Sequence, residues 1–272
     1  DVRVTTIRAA NVVGPHVVSP IPSYFRLPVV PTVVLRNEDY GRITRLLADG
    51  TPVKLEFDVR NRLVPEGVTS YNVVAEIPGT DKKDEVIMLG GHLDSWDLAE
   101  GAHDDGTGVM QSIEVLRIFK AINYKPKHTI RAVMFMNEEN GLRGGLKYAE
   151  LAMSNNEKHL AAIESDEGGF TPRGFNVDAS ATVVSRMAAN FEDLLKPYLI
   201  GEIESGGSGS DIGPLKKAIP SVVLIGYRPD SQRYFDYHHA SNDVFENVNK
   251  RELELGGAGI AALTYLIDQK GL

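Results

Sequence analysis

The sequence predicts an α/β fold in which a largely parallel sheet is covered by helices. From residue 70 onward, short apolar stretches of strand length alternate with longer stretches of helical periodicity. One stretch, Val86, Ile87, Met88 and Leu89, has no polar break and suits a buried strand. Acidic and imidazole side chains gather directly after such stretches, where open α/β sheets collect their active-site groups.

Taken in order, Pro15, Pro20, Pro22, Pro28 and Pro31 break up Val-rich pieces, which predicts loop and short strand. Val33 to Arg36, a helix from Glu38 to Ala48, and Val53 to Val59 then suit a small β-α-β unit. Residues 1–65 are expected to be an accessory segment, joined through Arg62 to Thr69 to a catalytic domain over residues 66–272. Tyr71 to Ile77 and Glu85 to Leu89 read as strands joined by the turn Pro78-Gly79-Thr80-Asp81. Val109, Ile113, Leu116 and Phe119 recur at three- to four-residue spacing, predicting a helix over Val109 to Lys120. Thr129 to Met136 and Leu160 to Ser165 read as strands flanking a helix over Leu142 to Met153. A helix over Val183 to Tyr198, a strand over Ser221 to Gly226 and a closing helix over Glu252 to Asp268 complete the reading.

With 272 residues, 42% hydrophobic and 24% charged, the chain can bury a sizeable core. The formal net charge of −8 argues against nucleic acid or an anionic membrane as partner. No apolar run approaches the roughly 20 residues that span a bilayer. The absence of cysteine excludes disulfides, thiolate metal sites and cysteine nucleophiles. The start, Asp1-Val-Arg-Val, suggests an excised or processed chain.

Five places put acids or imidazoles at expected strand ends: His92 and Asp94; Asp104 and Asp105, in a Gly-rich loop opening a helix; Glu138 and Glu139; Asp166; and His238 and His239, with Asp243 following. Imidazole and carboxylate donors without thiolates suit Zn²⁺ at open, catalytic positions. Two histidines and three carboxylates make a natural two-metal set, with one carboxylate shared. A further carboxylate kept off the metals can act as general base, and the Glu138-Glu139 doublet can supply both roles.

His-Leu-Asp-Ser, Gly-Ala-x-Asp-Asp-Gly-x-Gly, Asn-Glu-Glu and His-x-x-x-Asp, in this order, resemble the co-catalytic zinc aminopeptidase/carboxypeptidase family. His-Leu-Asp-Ser-Trp-Asp and the His-His doublet resemble its carboxypeptidase Q branch most, and the likeness covers roughly residues 70 to 268. It implies a three-layer α/β/α fold with a central, mostly parallel mixed sheet. It also implies two Zn²⁺ ions held by His92, Asp104, Glu139, Asp166 and His239. Asp104 would bridge, His92 and Asp166 would serve one ion, and Glu139 and His239 the other. Glu138 would be the general base and Asp94 would hold the His92 ring. A cis peptide is implied at Asp104-Asp105. Relatives often carry Tyr where this chain has His238, to which the oxyanion role is assigned. The family's Ser-Asp-His stretch survives only as Ser210-Asp211-Ile212, and Gly206 to Ser210 is expected to form a mobile rim loop.

The segment from Pro31 to Leu55 resembles the end of a protease-associated domain. The resemblance thus implies a metallo-exopeptidase acting on short peptides in a secreted, periplasmic or extracellular setting. A homodimer stays open; nucleic acid and membrane are not expected as partners. Two other readings share the fold: a glutaminyl-cyclase-like zinc acyltransferase with a single metal, and a receptor-like homologue without catalysis.

Several residues have plainer readings. His92 taken alone is more readily a hydrogen-bonded loop histidine, and only the five motifs together make it a ligand. Asp105 suits a helix cap better than Asp104 does. His103 reads as a loop residue, and His16, His128 and His159 as structural or exposed. Trp96 suits either the substrate cleft or packing at the loop base. Arg228 and Arg233 are candidate anchors for a substrate carboxylate.

Overall fold

The computed structural model of the chain describes residues 6–9, 32–35, 37–58, 60 and 68–272. In the N-terminal part, β1 (Thr6–Ala9) pairs in parallel with β2 (Thr32–Leu35), and the helix α1 (Asn37–Ala48) follows. The strand expected over residues 53–59 is absent among the described residues, where 51–58 are irregular. Val53, Leu55 and Phe57 alternate as a strand would, but among the described residues no backbone pairs with them, and the pattern alone does not make a strand. The Pro-rich stretch from Pro15 to Pro31 and most of the expected linker lie outside the described residues.

The main sheet has seven strands in the order β3-β5-β4-β6-β9-β7-β8. These are β3 (Val73–Ile77), β4 (Lys82–His92), β5 (His128–Phe135), β6 (Lys158–Glu164), β7 (Pro172–Asp178), β8 (Glu202–Ser205) and β9 (Val223–Pro229). The pairs β4/β5, β4/β6, β6/β9 and β7/β8 are parallel, whereas β3/β5 and β7/β9 are antiparallel. The mostly parallel mixed sheet is therefore as expected. Although one turn joins β3 to β4, β5 lies between them in the sheet.

Alternation along the central strands sorts the core onto two faces. Ile87 and Leu89 of β4 pack with α2 (Thr107–Ala121), α4 (Ala181–Leu195) and α6 (Lys250–Lys270) through Val115, Phe119, Met187, Phe191, Leu263 and Ile267. Val86 and Met88 face the other way, onto Tyr148, Ala149 and Ala152 of α3 (Arg143–Ser154) and Leu215 of α5 (Gly213–Ala218). Three layers result. Among the described residues, no helix is long and apolar enough to cross a membrane.

β7, β8 and α5 have no counterpart in the expected elements. β7 carries Pro172 and Gly174, which read as loop. β8 is four residues long and largely exposed at the sheet edge. α5 is too short to show a helical period.

His159, on β6, lies in the core beneath α3, as its structural reading expects. The Tyr148 hydroxyl donates to its Nε2 at 2.8 Å and accepts from Arg131 at 2.8 Å, while Glu157 stands 3.8 Å away. Burial lowers the His159 pKa to about 4. As pH falls, the unfolded chain takes up this proton first, so stability drops between the free imidazole value and about 4. The expected loss is about 3 kcal/mol. Urea unfolding across that range, with chelator present, should show a slope that His159→Gln reduces; an unchanged slope would contradict this.

Candidate metal centre

The site stands at the carboxyl ends of the parallel strands β4, β5, β6 and β9, the edge where crossover loops leave room for a cleft. His92 is the last residue of β4, and Glu138 and Glu139 follow β5. Asp166 follows β6, and His238 and His239 lie beyond β9. Asp104 and Asp105 occupy the tight turn Ala102–Gly106 ahead of α2, and the peptide between them is cis, as the resemblance implied.

Small residues let these pieces approach. A Cβ at Gly108 would lie 1.9 Å from the Ser165 carbonyl oxygen, and one at Gly91 would lie 2.5 Å from Asp105 Oδ2. Glycine at both positions brings the α2 turn against the ends of β4 and β6. Asp105 then ties the turn to β4. Its Oδ2 accepts from the His92 amide at 2.9 Å, and its Oδ1 accepts from Gly108 N at 3.0 Å, the capping role expected of it.

Asp104 is the centre of the cluster. Its Oδ1 lies 3.2 Å from His92 Nε2, and its Oδ2 lies 3.3 Å from His239 Nε2 and 3.7 Å from His238 Nε2. Asp166 Oδ1 is 3.5 Å from His92 Nε2, and Glu139 Oε2 is 3.1 Å from His239 Nε2. Two groups of potential cation donors result, His92 with Asp104 and Asp166, and Asp104 with His238 and His239. Asp104 belongs to both. Of the five residues expected to bind metal, His92, Asp104, Asp166 and His239 fall in these groups; His238, expected to support the oxyanion, falls there too, while Glu139 meets His239 at 3.1 Å but stands outside both groups.

The histidine rings are set by their surroundings. His92 Nδ1 donates to the Asp94 carbonyl oxygen at 2.8 Å, which turns Nε2 toward Asp104 and Asp166. The expectation that Asp94 holds this ring thus needs a correction of atom: its carboxylate is 3.9 Å away. That carboxylate instead accepts the amides of Glu138, at 3.0 Å, and Glu139, at 3.2 Å. Two convergent N–H donors in the turn after β5 draw it more strongly than one ring does. His239 has a positive φ of 55°, and its ring stacks on His238 with centroids 3.6 Å apart.

The electrostatics are those of acids crowded around imidazoles. Burial opposes charge on His92, but Asp166 and Asp104 outweigh it and raise its pKa well above the ordinary imidazole value. His239 is raised in the same way, with Glu139 and Asp104 overcoming burial. Burial, then the negative charge of Asp166, pushes Glu138 up to about 7. A bound cation would pull it back down.

The donor set fits a pair of cations. Asp104 Oδ2, Glu139 Oε1 and Asp166 Oδ1 are buried and accept no hydrogen bond. Orphaned carboxylate oxygens inside a protein are costly unless a charge or donor meets them. Their nitrogen and oxygen chemistry suits zinc.

Several further residues support the cluster, among them Asp243 and Asp211, which the sequence marks without showing their contacts. Asp243 is buried and accepts the amides of His103 at 2.6 Å and Asp104 at 3.1 Å, fixing the turn; its place in His-x-x-x-Asp was the available signal. Glu164 accepts the amides of Asp211 and Ile212 at 3.3 and 2.9 Å. The Asp211 carboxylate is buried nearby with neither oxygen hydrogen-bonded. Tyr234 is buried beside Asp104, with its pKa raised first by burial and then by Asp166. No local pattern marks Glu164 or Tyr234. The Gly206 to Ser210 loop packs down, so close that a Cβ at Gly209 would lie 2.3 Å from Glu164 Cδ.

Other residues fall outside the cluster. His103 Nδ1 accepts from Gly169 N at 3.2 Å while its Nε2 faces the Asn247 carbonyl at 3.3 Å, the loop role expected. Arg228 pairs with Glu202 and Glu204, and Arg233 with Glu252 and the Phe170 ring. Both arginines thus carry acidic partners in the structure. His128 pairs with Asp268 at the opposite end of β5 from the cluster, consistent with a structural role.

The pattern of peptidase family M28 matches residues 72–264, most of the chain and every residue of the cluster. The chain belongs to peptidase family M28. Over 244 residues it is 32% identical to carboxypeptidase Q of Mus musculus, an alignment covering 89% of this chain and 50% of the relative. The chain thus spans about half the length of the curated relatives it matches. A crystal structure of a peptidase M28 precursor from Shewanella amazonensis superposes with a TM-score of 0.80 at 32% identity, covering 90% of this chain and 55% of that one. A zinc aminopeptidase from Bacillus subtilis shares the fold, with a TM-score of 0.58 at 20% identity over 73% of this chain and 50% of that one. The α/β sheet of this M28 chain and the family resemblance of its motifs are both borne out.

Proposed function

We propose that this chain carries the active site of a dinuclear zinc exopeptidase that hydrolyses short peptides. The observation that carries the reading is Asp104, which belongs to both groups of potential cation donors. A glutaminyl-cyclase-like reading needs one metal and has no use for a shared carboxylate. A receptor-like reading has no use for a complete donor set. In this proposal His92, Asp104 and Asp166 hold one zinc, and Asp104, Glu139 and His239 hold the other.

Bound zinc would polarise the scissile carbonyl and lower the pKa of the attacking water. Glu138 takes the proton from that water and passes it to the leaving amine, a task suited to a carboxylate whose environment raises its pKa. His238 donates to the oxyanion that develops on the substrate. Asp94 holds Glu138 through its amide and His92 through its ring, fixing the distance between base and ligand.

The test combines zinc analysis with a panel of free dipeptides, amino-blocked peptides and carboxyl-blocked peptides. Two zinc ions per chain are expected, with activity lost to chelator and restored by zinc. Cleavage should require at least one free terminus. A single tightly bound zinc, or cleavage of peptides blocked at both ends, would overturn the reading.

A further inference from the structure

Trp96 is the only tryptophan in the chain, and it lies against one half of the cluster. Its Nε1–H donates to Glu139 Oε2 at 2.7 Å. Its ring stacks on His239 with centroids 4.3 Å apart and planes within 19°. One side chain therefore touches two of the proposed ligands of one zinc. Both partners, Glu139 and His239, belong to the same proposed zinc site, and Trp96 also lines a small cavity with Asp104.

The atoms involved indicate what the contact does. Glu139 Oε2 faces both the Trp96 N–H and His239 Nε2, while Glu139 Oε1 is buried without a hydrogen bond. With Oε2 accepting from the indole, the rotation of the Glu139 carboxylate beside His239 is restricted. The flat indole also limits the swing of the His239 imidazole. Partners that hold a ligand from behind typically change metal affinity by about 10–100-fold.

We propose that Trp96 is a positioning residue dedicated to the zinc site of Glu139 and His239, and that its fluorescence reports the filling of that site alone. The inference rests on the two-metal reading above. Because the hydrogen bond and the ring stacking of Trp96 both fall on ligands of one proposed zinc, the two zinc sites should respond to it differently.

The experiment titrates Zn²⁺ into the metal-free full chain while recording both binding heat and tryptophan emission. Asp166→Ala should bind one equivalent and retain the emission change. Glu139→Ala should bind one equivalent and lose it. Trp96→Phe keeps a ring against His239 but removes the N–H; it should weaken one of two equivalents about tenfold and leave the other within about twofold. Trp96→Leu should weaken that equivalent further. Circular dichroism establishes that each variant is folded, and the emission response of the unaltered chain needs no variant.

The proposal is overturned if emission still responds in Glu139→Ala, if it is lost in Asp166→Ala, or if Trp96→Phe binds both equivalents as tightly as the parent. Should the unaltered chain bind fewer than two zinc ions, the two-metal reading itself fails. Two tightly bound ions with an indifferent Trp96 would sink only the present inference.

Discussion

Glu138→Gln is expected to leave both zinc ions bound while turnover falls by about 10²–10⁴-fold. Glutamine has nearly the shape of glutamate but cannot accept a proton at working pH. In the proposed site Glu138 is not among the ligands, so its replacement should remove none. The main chain should also stay in place, because Asp94 grips residue 138 through its amide, which the substitution preserves. The loss should fall on kcat, since the proton is transferred only as the bond breaks. Steady-state kinetics and zinc analysis on one preparation check this. Near-native kcat would remove Glu138 as base, and loss of zinc would make it a ligand.

Asp104→Asn is expected to weaken both zinc equivalents together. The amide presents one neutral oxygen where the carboxylate presents two charged ones, and each carboxylate oxygen faces a different histidine. Losing a direct ligand should exceed the 10–100-fold that distant partners cost. The fold should persist, because the Asp104 amide still reaches Asp243 and the neighbouring Asp105 still caps α2. Titration calorimetry with zinc measures the effect, and two ions bound at parental affinity would refute the shared carboxylate.

Much of this arrangement is legible in the chain because strand ends and chemistry coincide. The unbroken run Val86 to Leu89 reveals a buried strand, and the polar group that ends it has few reasons to be there other than function. The same holds for Glu138 after β5 and Asp166 after β6. Short edge pieces are harder to see, since β8 buries little and leaves no period to read. The third piece of the small N-terminal unit shows the opposite error: Val53, Leu55 and Phe57 have the alternation of a strand, but strand formation depends on a partner supplied from elsewhere. Atom-level roles are the least visible. The residue at 94 is recognisable beside His92, but whether its carbonyl or its carboxylate meets the ring depends on the Glu138 and Glu139 amides, which arrive from 44 residues away. Glu164 and Asp211 meet across 47 residues for the same reason, and nothing local announces their contact.

The donors come from the ends of β4, β5, β6 and β9, and β9 joins the sheet through β6. Pairings this distant in sequence are slow to close during folding. In the proposed two-zinc site, His92, Asp104 and Asp166 come from β4, the turn ahead of α2 and β6, whereas Glu139 and His239 follow β5 and β9. A cation held by the second set would therefore stabilise the native chain by mass action only where β9 has docked beside β6.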